Sequence, residues 1–320
     1  MQVKKAVITA AGRGVRLYPA ADTVQRAMFP LIGRDGITKP VIQIIVEEAL
    51  DSGIEEVCVV GAPGDADKYR AGFKALRENM VQAHQNVDWA REQAERLTNL
   101  LGRVEFAVQE EPLGYGHAVH CAGQFVGDQP FLLLLSDHLY ISELEGKRCA
   151  QQLIELAGQE DCAVAAVQAT REHLVGHYGT LRGKRVPNQP SVYQIERIIE
   201  KPSVSLAEME LQTPGLRVGH YLCFFGMYVL TPSVFDMLDP EIDQARGNGG
   251  SVQLTPALNE LAERERYLAL EVQGRRYDVG ARFGLLRAQI ALAMAGQLRD
   301  EVLATMVEAM AESSRSQEGR

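Results

Sequence analysis

Cysteine is sparse and unpatterned. The five residues, Cys58, Cys121, Cys149, Cys162 and Cys223, form no C-x-x-C and leave an odd total. A disulfide framework or thiolate zinc site is disfavoured, and buried reduced thiols of a cytosolic protein are expected instead. No segment approaches the roughly 20 apolar residues of a membrane span. The first apolar strand begins almost at once, leaving no room for a signal peptide, so the sequence predicts a cytoplasmic location and no membrane partner. Positive charge is also in short supply: 33 Lys and Arg against 42 Asp and Glu give a formal charge of −9. That argues against a nucleic-acid surface and leaves small molecules as the expected partners, although a local basic pocket can still hold phosphates. Internal repeats and low-complexity linkers are absent too.

What is present is an ordinary globular composition. With 320 residues, 46% hydrophobic and 23% charged, the chain can bury a large core and fits one α/β domain, with or without a smaller appendage. Ala6 to Ala10 is apolar without helical spacing, as in a strand buried on both faces of a parallel sheet. Gly12 and Gly14 follow and remove two β-carbons, so backbone N–H groups can converge on phosphate oxygens, with Arg13 and Arg16 adding charge. The G-x-x-x-x-G-K-[ST] signature is missing, and Leu17 stands where G-x-G-x-x-G would need its third glycine. By itself the loop is equally well a plain turn.

Further along, Tyr18 to Thr38 predicts an ordered loop. Val41 to Leu50 has one helical apolar face behind Pro40, and Glu56 to Gly61 is a second buried strand. Asp65 to Leu101 predicts two helices, Val104 to Val108 a strand, and Gln109 to Gly116 a second glycine-bearing loop before a helix from His117 to Phe125. Phe131 to Leu135 is the strongest strand signal and ends at Ser136-Asp137-His138. Ligands of open α/β sheets bind beyond strand carboxyl ends, so Asp137 lies where chemistry is expected. A helix over Cys149 to Ala157 and a strand over Ala163 to Gln168 follow. Strands over Tyr178 to Arg182, Val192 to Ile199 and Tyr221 to Leu230 then predict a partly mixed sheet. Helices over Pro232 to Leu238 and Leu254 to Arg264, a strand over Tyr267 to Val272 and one helical stretch from Phe283 to Met310 complete the pattern; 313–320, without apolar residues, predicts a frayed, disordered tail.

Five separated motifs stand in one order: Gly12-x-Gly14-x-Arg16, Met28-x-Pro30 with Lys39-Pro40, Gly114-x-Gly116-His117-Ala118, Asp137 after its strand, and Glu200-Lys201-Pro202. With Gln253-Leu254-Thr255 and Asp278-Val279-Gly280, they resemble the bacterial UTP–glucose-1-phosphate uridylyltransferases among the sugar-phosphate nucleotidyltransferases, over Val3 to about Ala291. The resemblance implies a nucleotidyltransferase fold: a Rossmann-like, mixed but mostly parallel sheet flanked by helices, with a smaller β-containing sugar-binding part and C-terminal helices. It divides a single domain, 1–312, into a nucleotide-binding half (1–170), a sugar-phosphate half (171–282) and terminal helices (283–312). It also implies reaction of UTP with a sugar 1-phosphate to release pyrophosphate, with Mg2+ as cofactor; a homo-oligomer is left open.

By motif, Ala10, Ala11, Gly12 and Gly14 would hold the triphosphate with Arg16, while Gln109 and Gly114 would read the uracil. Gly179, Glu200 and Gly226 would contact the sugar, Lys201 its phosphate, and Asp137 and Asp278 the metal. His117 is expected to orient the nucleotide loop by hydrogen bonding rather than exchange protons. The family's Lys-Glu-Met-Leu-Pro is Arg26-Ala27-Met28-Phe29-Pro30 here, and the loop from Pro30 to Lys39 is longer. Arg26 keeps the charge but is longer and planar. Altered kinetics, another sugar or nucleotide, and a non-catalytic nucleotide-sugar-binding paralogue all remain open. A nicotinamide-dependent dehydrogenase is disfavoured, because Val59-Val60-Gly61 closes the second strand without an acidic residue.

Overall fold

A computed structural model describes residues 1–84 and 87–318, with side chains as far as residue 312. Its strands are β1 (Lys5–Thr9), the short pair β2 (Pro30–Ile32) and β3 (Thr38–Pro40), β4 (Glu56–Gly61), β5 (Val104–Val108), β6 (Phe131–Leu135), β7 (His138–Ser142), β8 (Ala163–Arg171), β9 (Thr180–Arg185), β10 (Val192–Ile199), β11 (His220–Leu230), β12 (Tyr267–Glu271) and β13 (Gly274–Asp278). Nine of them build one sheet in the order β5-β4-β1-β6-β11-β8-β12-β10-β9.

The β5-β4-β1-β6 side is parallel throughout. β11 enters antiparallel between β6 and β8, β12 runs parallel to β8, and β10 and β9 close the sheet antiparallel. Antiparallel pairing is thus concentrated in the later half, where intervening helices are few. Strand residues alternate between two cores, as a pleat with both faces covered requires. Ala6, Ile8, Leu132 and Leu134 face the core shared with helices Val41–Leu50, Cys149–Glu160 and Gly284–Met294. Val7, Phe131 and Leu133 face the one shared with helices Ser233–Asn248 and Leu254–Arg264. A third, small core of Val175, Ala207, Leu211, Tyr221 and Cys223 packs around the start of β11.

Several features depart from the sequence pattern, among them the helix expected over Pro232 to Leu238, which runs on through Asn248, and an unexpected helix at Val204–Glu210. His138–Ser142 and Gly274–Asp278, too short and polar to stand out, pair antiparallel as a separate ribbon with Asp278 opposite His138. The helix expected from His117 to Phe125 is two short pieces, Tyr115–His120 and Gly123–Val126. The terminal helical stretch breaks between Gly284–Met294 and Arg299–Glu318. At the break the Gln297 N–H donates to the Arg34 carbonyl (2.9 Å), so the turn between β2 and β3, the longer loop, docks there instead of lying free. The last helix continues through Glu318, beyond the residue-312 boundary; the final two residues of the expected tail lie outside the described residues.

Candidate active site

β6 ends at Leu135 and β7 begins at His138, so Asp137 occupies the corner where the main sheet gives way to the ribbon. β13 brings Asp278 to the same corner, and the Val279 N–H donates to the Asp137 carbonyl (2.8 Å). Two cavities meet here. One, about 570 Å³, is lined by Ala10, Ala11, Gly12, Arg26 and Ser136. The other, about 520 Å³, is lined by Arg16, Asp137, Gly179, Glu200, Lys201, Gly226 and Asp278.

A charged partition separates them. Gly14, at φ 63, turns the loop into the short 3-10 turn Val15–Leu17, which carries Arg16. Arg16 then reaches Asp278 Oδ2 through Nη1 (3.1 Å) and Asp137 Oδ2 through Nη2 (3.6 Å). Arg26 Nη1 meets the same Asp137 oxygen at 3.1 Å, and His138 Nδ1 lies 2.8 Å from Oδ1. Asp278 Oδ1 accepts from the Gly280 N–H (2.8 Å). Burial pushes the Asp137 carboxyl up, but the hydrogen bond and charge of His138, with Arg26 and Arg16, outweigh it and hold the group well below the usual carboxylate range.

These carboxylates fit a hard divalent cation. Both carboxylates meet one cationic group, the Arg16 guanidinium, and their joint negative charge is of the kind a hard divalent cation balances. Among the described residues no three His, Cys, Asp or Glu groups form a complete cage. That donor set suits magnesium, which takes one or two carboxylates and completes its shell with water and substrate phosphates.

The second cavity is built on backbone irregularities. The pairing register of β11 shifts between Phe224 and Tyr228, and Gly226 sits in that bulge at φ 84. A β-carbon there would lie 2.9 Å from Leu135 Cδ1, and the Gly226 carbonyl accepts from the Tyr140 hydroxyl (2.6 Å). The Gly179 carbonyl accepts from the Phe224 N–H (2.9 Å), fixing its loop beside the bulge. Glu200 is held by the Thr255 hydroxyl (2.6 Å) and by Lys201 Nζ (3.2 Å). Lys201 adopts φ 44, a strained conformation for a lysine, and its ammonium end is exposed.

Gln109 and Gly114 lie on the next loop. Gln109 Nε2 donates to the Gly114 carbonyl (2.9 Å). His117 Nδ1 lies 2.9 Å from the Glu111 carbonyl and 3.2 Å from Gln109 Nε2, tying the ring to the loop at two points. Burial pushes the imidazole pKa down, in keeping with a neutral ring that braces the loop. The loop is pinned from the far side by Val252, whose carbonyl accepts from the Gly116 N–H (2.9 Å).

Sequence reasoning gave no role to His138, Thr255 or Arg276. Arg276 donates to the Phe224 carbonyl and lies 4.1 Å from the centre of the Tyr178 ring, in the wall of the 520 Å³ cavity. Its position two residues before Asp278 was the available signal, since residues i and i+2 of a strand share a face.

A family model described as nucleotidyl transferase matches residues 5–294. A UTP–glucose-1-phosphate uridylyltransferase of Bacillus subtilis (strain 168) is 32% identical, across 95% of this chain and 96% of that protein. One from Streptococcus pyogenes serotype M3 is 34% identical, across 92% and 90%. A solved UDP-glucose pyrophosphorylase from Acinetobacter baumannii superposes with a TM-score of 0.78 at 27% identity, covering 96% of this chain and all 100% of its own. A UDP-glucose pyrophosphorylase complexed with UDP-glucose gives 0.71 at 27%, covering 91% and 98%.

Proposed function

Because the chain belongs to the nucleotidyl transferase family, we propose that it converts UTP and glucose 1-phosphate into UDP-glucose and pyrophosphate. The observation that carries this reading is the partition of Arg16, Arg26, Asp137 and Asp278, set between a glycine-loop cavity and a cavity bearing Glu200 and Lys201. A phosphate oxygen of the sugar phosphate attacks the α-phosphorus of UTP, and the bond to the β-phosphate oxygen breaks, releasing pyrophosphate. The attacking oxygen is already ionised, so no general base is needed; alignment and charge neutralisation supply the catalysis.

In this scheme Ala10, Ala11, Gly12 and Gly14 present loop backbone to the triphosphate, and Arg16 and Arg26 neutralise its charge. Gln109, with Gly114, reads the uracil edge. Gly179, Glu200 and Gly226 orient the sugar hydroxyls, and Lys201 holds the sugar phosphate. Asp137 and Asp278 would hold Mg2+, which supplies charge neutralisation at the phosphates. The five unpaired thiols support a reducing, cytoplasmic setting.

One geometric fact favours a second reading. Arg26, where relatives of this type carry lysine, is ion-paired to the carboxylate assigned to the metal, as expected of a binding paralogue that has lost turnover. Pyrophosphate release, screened over four nucleoside triphosphates and several sugar 1-phosphates with magnesium present, separates the two. Release with UTP and glucose 1-phosphate is expected; none with any pair would leave the nucleotide-sugar-binding reading in its place.

A further inference from the structure

Beyond a wall made by Tyr178, Arg276 and Asp278, the sugar-side cavity has a neighbour of about 440 Å³. Four arginines border it: Arg171 at the end of β8, Arg276 on β13, Arg282 just before helix Gly284–Met294 and Arg287 in that helix's first turn. None of the four has a carboxylate within 4.0 Å among the described residues. Other arginines without an acid partner, such as Arg13, Arg103 and Arg217, are scattered among the described residues, whereas these four line one concavity. The cavity's one carboxylate, Asp278, is already engaged by Arg16 and the Gly280 N–H.

Unpaired guanidinium groups gathered round one concavity repel each other, and an anion placed among them removes that repulsion. The start of the helix adds its own partial positive charge, and Gly284 lies in the lining. The arginines come from three separated segments, so an anion of two linked phosphates reaches more of them than a single phosphate does.

We propose that this arginine-lined cavity is a second anion site that binds a small diphosphate, inorganic pyrophosphate being the simplest, while the reaction cavity is occupied. The link to pyrophosphate as the chain's own product rests on the nucleotidyl-transfer reading; the binding itself does not. Through the shared wall a bound diphosphate acts on Asp278 and Arg276, so it inhibits without displacing UTP.

The test is equilibrium binding of labelled pyrophosphate, in EDTA to prevent turnover, to the full chain saturated with UTP, whose β- and γ-phosphates fill the place of the product pyrophosphate in the reaction cavity. One pyrophosphate per chain is expected, with inorganic phosphate binding more weakly. Arg171→Ala combined with Arg287→Ala should weaken pyrophosphate binding on the order of tenfold or more, the effect of losing charged hydrogen bonds, and leave UTP affinity unchanged. Both side chains are exposed, so the variant folds, and circular dichroism verifies it. No pyrophosphate uptake beside bound UTP, or uptake unchanged in the double variant, overturns the site. If UTP itself fails to bind, the assigned reaction is what fails, and the same titration of the free chain and the double variant still decides the cavity.

Discussion

Arg26 carries the sharpest question at the scale of single residues. Its guanidinium is nearly buried, meets Asp137 Oδ2 at 3.1 Å, and leaves Nε without a partner. If it neutralises the reacting phosphates, Arg26→Ala should lower kcat/KM by on the order of 2–4 kcal/mol, as when one donor to a transition state is removed. Arg26→Lys should keep or raise activity, since it restores a point charge. Steady-state pyrophosphate release checks both, and activity unmoved by Arg26→Ala would end the assignment. Asp137→Asn should lower kcat and kcat/KM together, because its charge acts on the transition state more than on bound nucleotide. Chelation of magnesium should do the same to the wild type; full turnover in EDTA would contradict the metal assignment. Gln109→Ala should cost about 1–3 kcal/mol in UTP binding and erode preference for UTP, read by titration with all four triphosphates. Equal losses for all four would mark Gln109 as a brace for Gly114 only. Of these positions Asp137 was singled out by its place at a strand's carboxyl end, while the roles of Arg26 and Gln109 came from the motif resemblance. Arg276 was not singled out, because its i, i+2 relation to Asp278 becomes a signal only once Gly274–Asp278 is known to be a strand.

At the scale of elements, the bulge in β11 does the positioning. Gly226 at φ 84 aims the strand past Leu135 and His138, and its carbonyl is fixed by Tyr140. Gly226→Ala should destabilise the chain by about 1–3 kcal/mol, the cost of a side chain in a sparsely populated backbone region. If the cavity bearing Glu200 and Lys201 takes the sugar, the variant's KM for glucose 1-phosphate should rise more than its KM for UTP, since the bulge lines that cavity and not the glycine-loop one. Denaturant titration and paired KM measurements check this; equal changes in both KM values would show a general loosening. The long strands and helices were readable from period and punctuation, β4, β5, β6 and β10 to the residue. The ribbon of β7 and β13 was not. Each strand is five residues long and ends in polar groups, and each is defined only by the other, at a distance in sequence that local pattern does not reach.

Two carboxylates with opposite shifts shape the response of the whole molecule to pH. Glu48 is buried in the helix Val41–Leu50, where burial raises its carboxyl above the usual 4.5, partly offset by the Ala150 N–H and Arg148. The folded chain therefore holds this proton more tightly than the unfolded chain, so stability falls as pH rises above about 4.5. Glu48→Gln removes that fall: the melting temperature of the wild type minus that of the variant should decline with rising pH and then level off. A difference flat across that range would show that Glu48 is charged at no cost. Asp137 runs the other way, its contribution present above its ordinary 3.8 and lost as pH drops below it. Near pH 7 the wild type should therefore melt above Asp137→Asn, with the gap closing in acid.

The strand order also dictates a timetable. β11 is wedged between β6 and β8, and β12 between β8 and β10, so two late segments fill gaps bounded by earlier ones. The turn around Arg34 docks on residues later still. A chain leaving the ribosome from its N-terminus therefore completes the β5-β4-β1-β6 portion first, with the open edge of β6 exposed until His220–Leu230 arrives. Such unpaired edges are where nascent chains associate wrongly. Nascent chains arrested before residue 220 should accordingly bind chaperones and resist refolding, while those released after Glu271 should not.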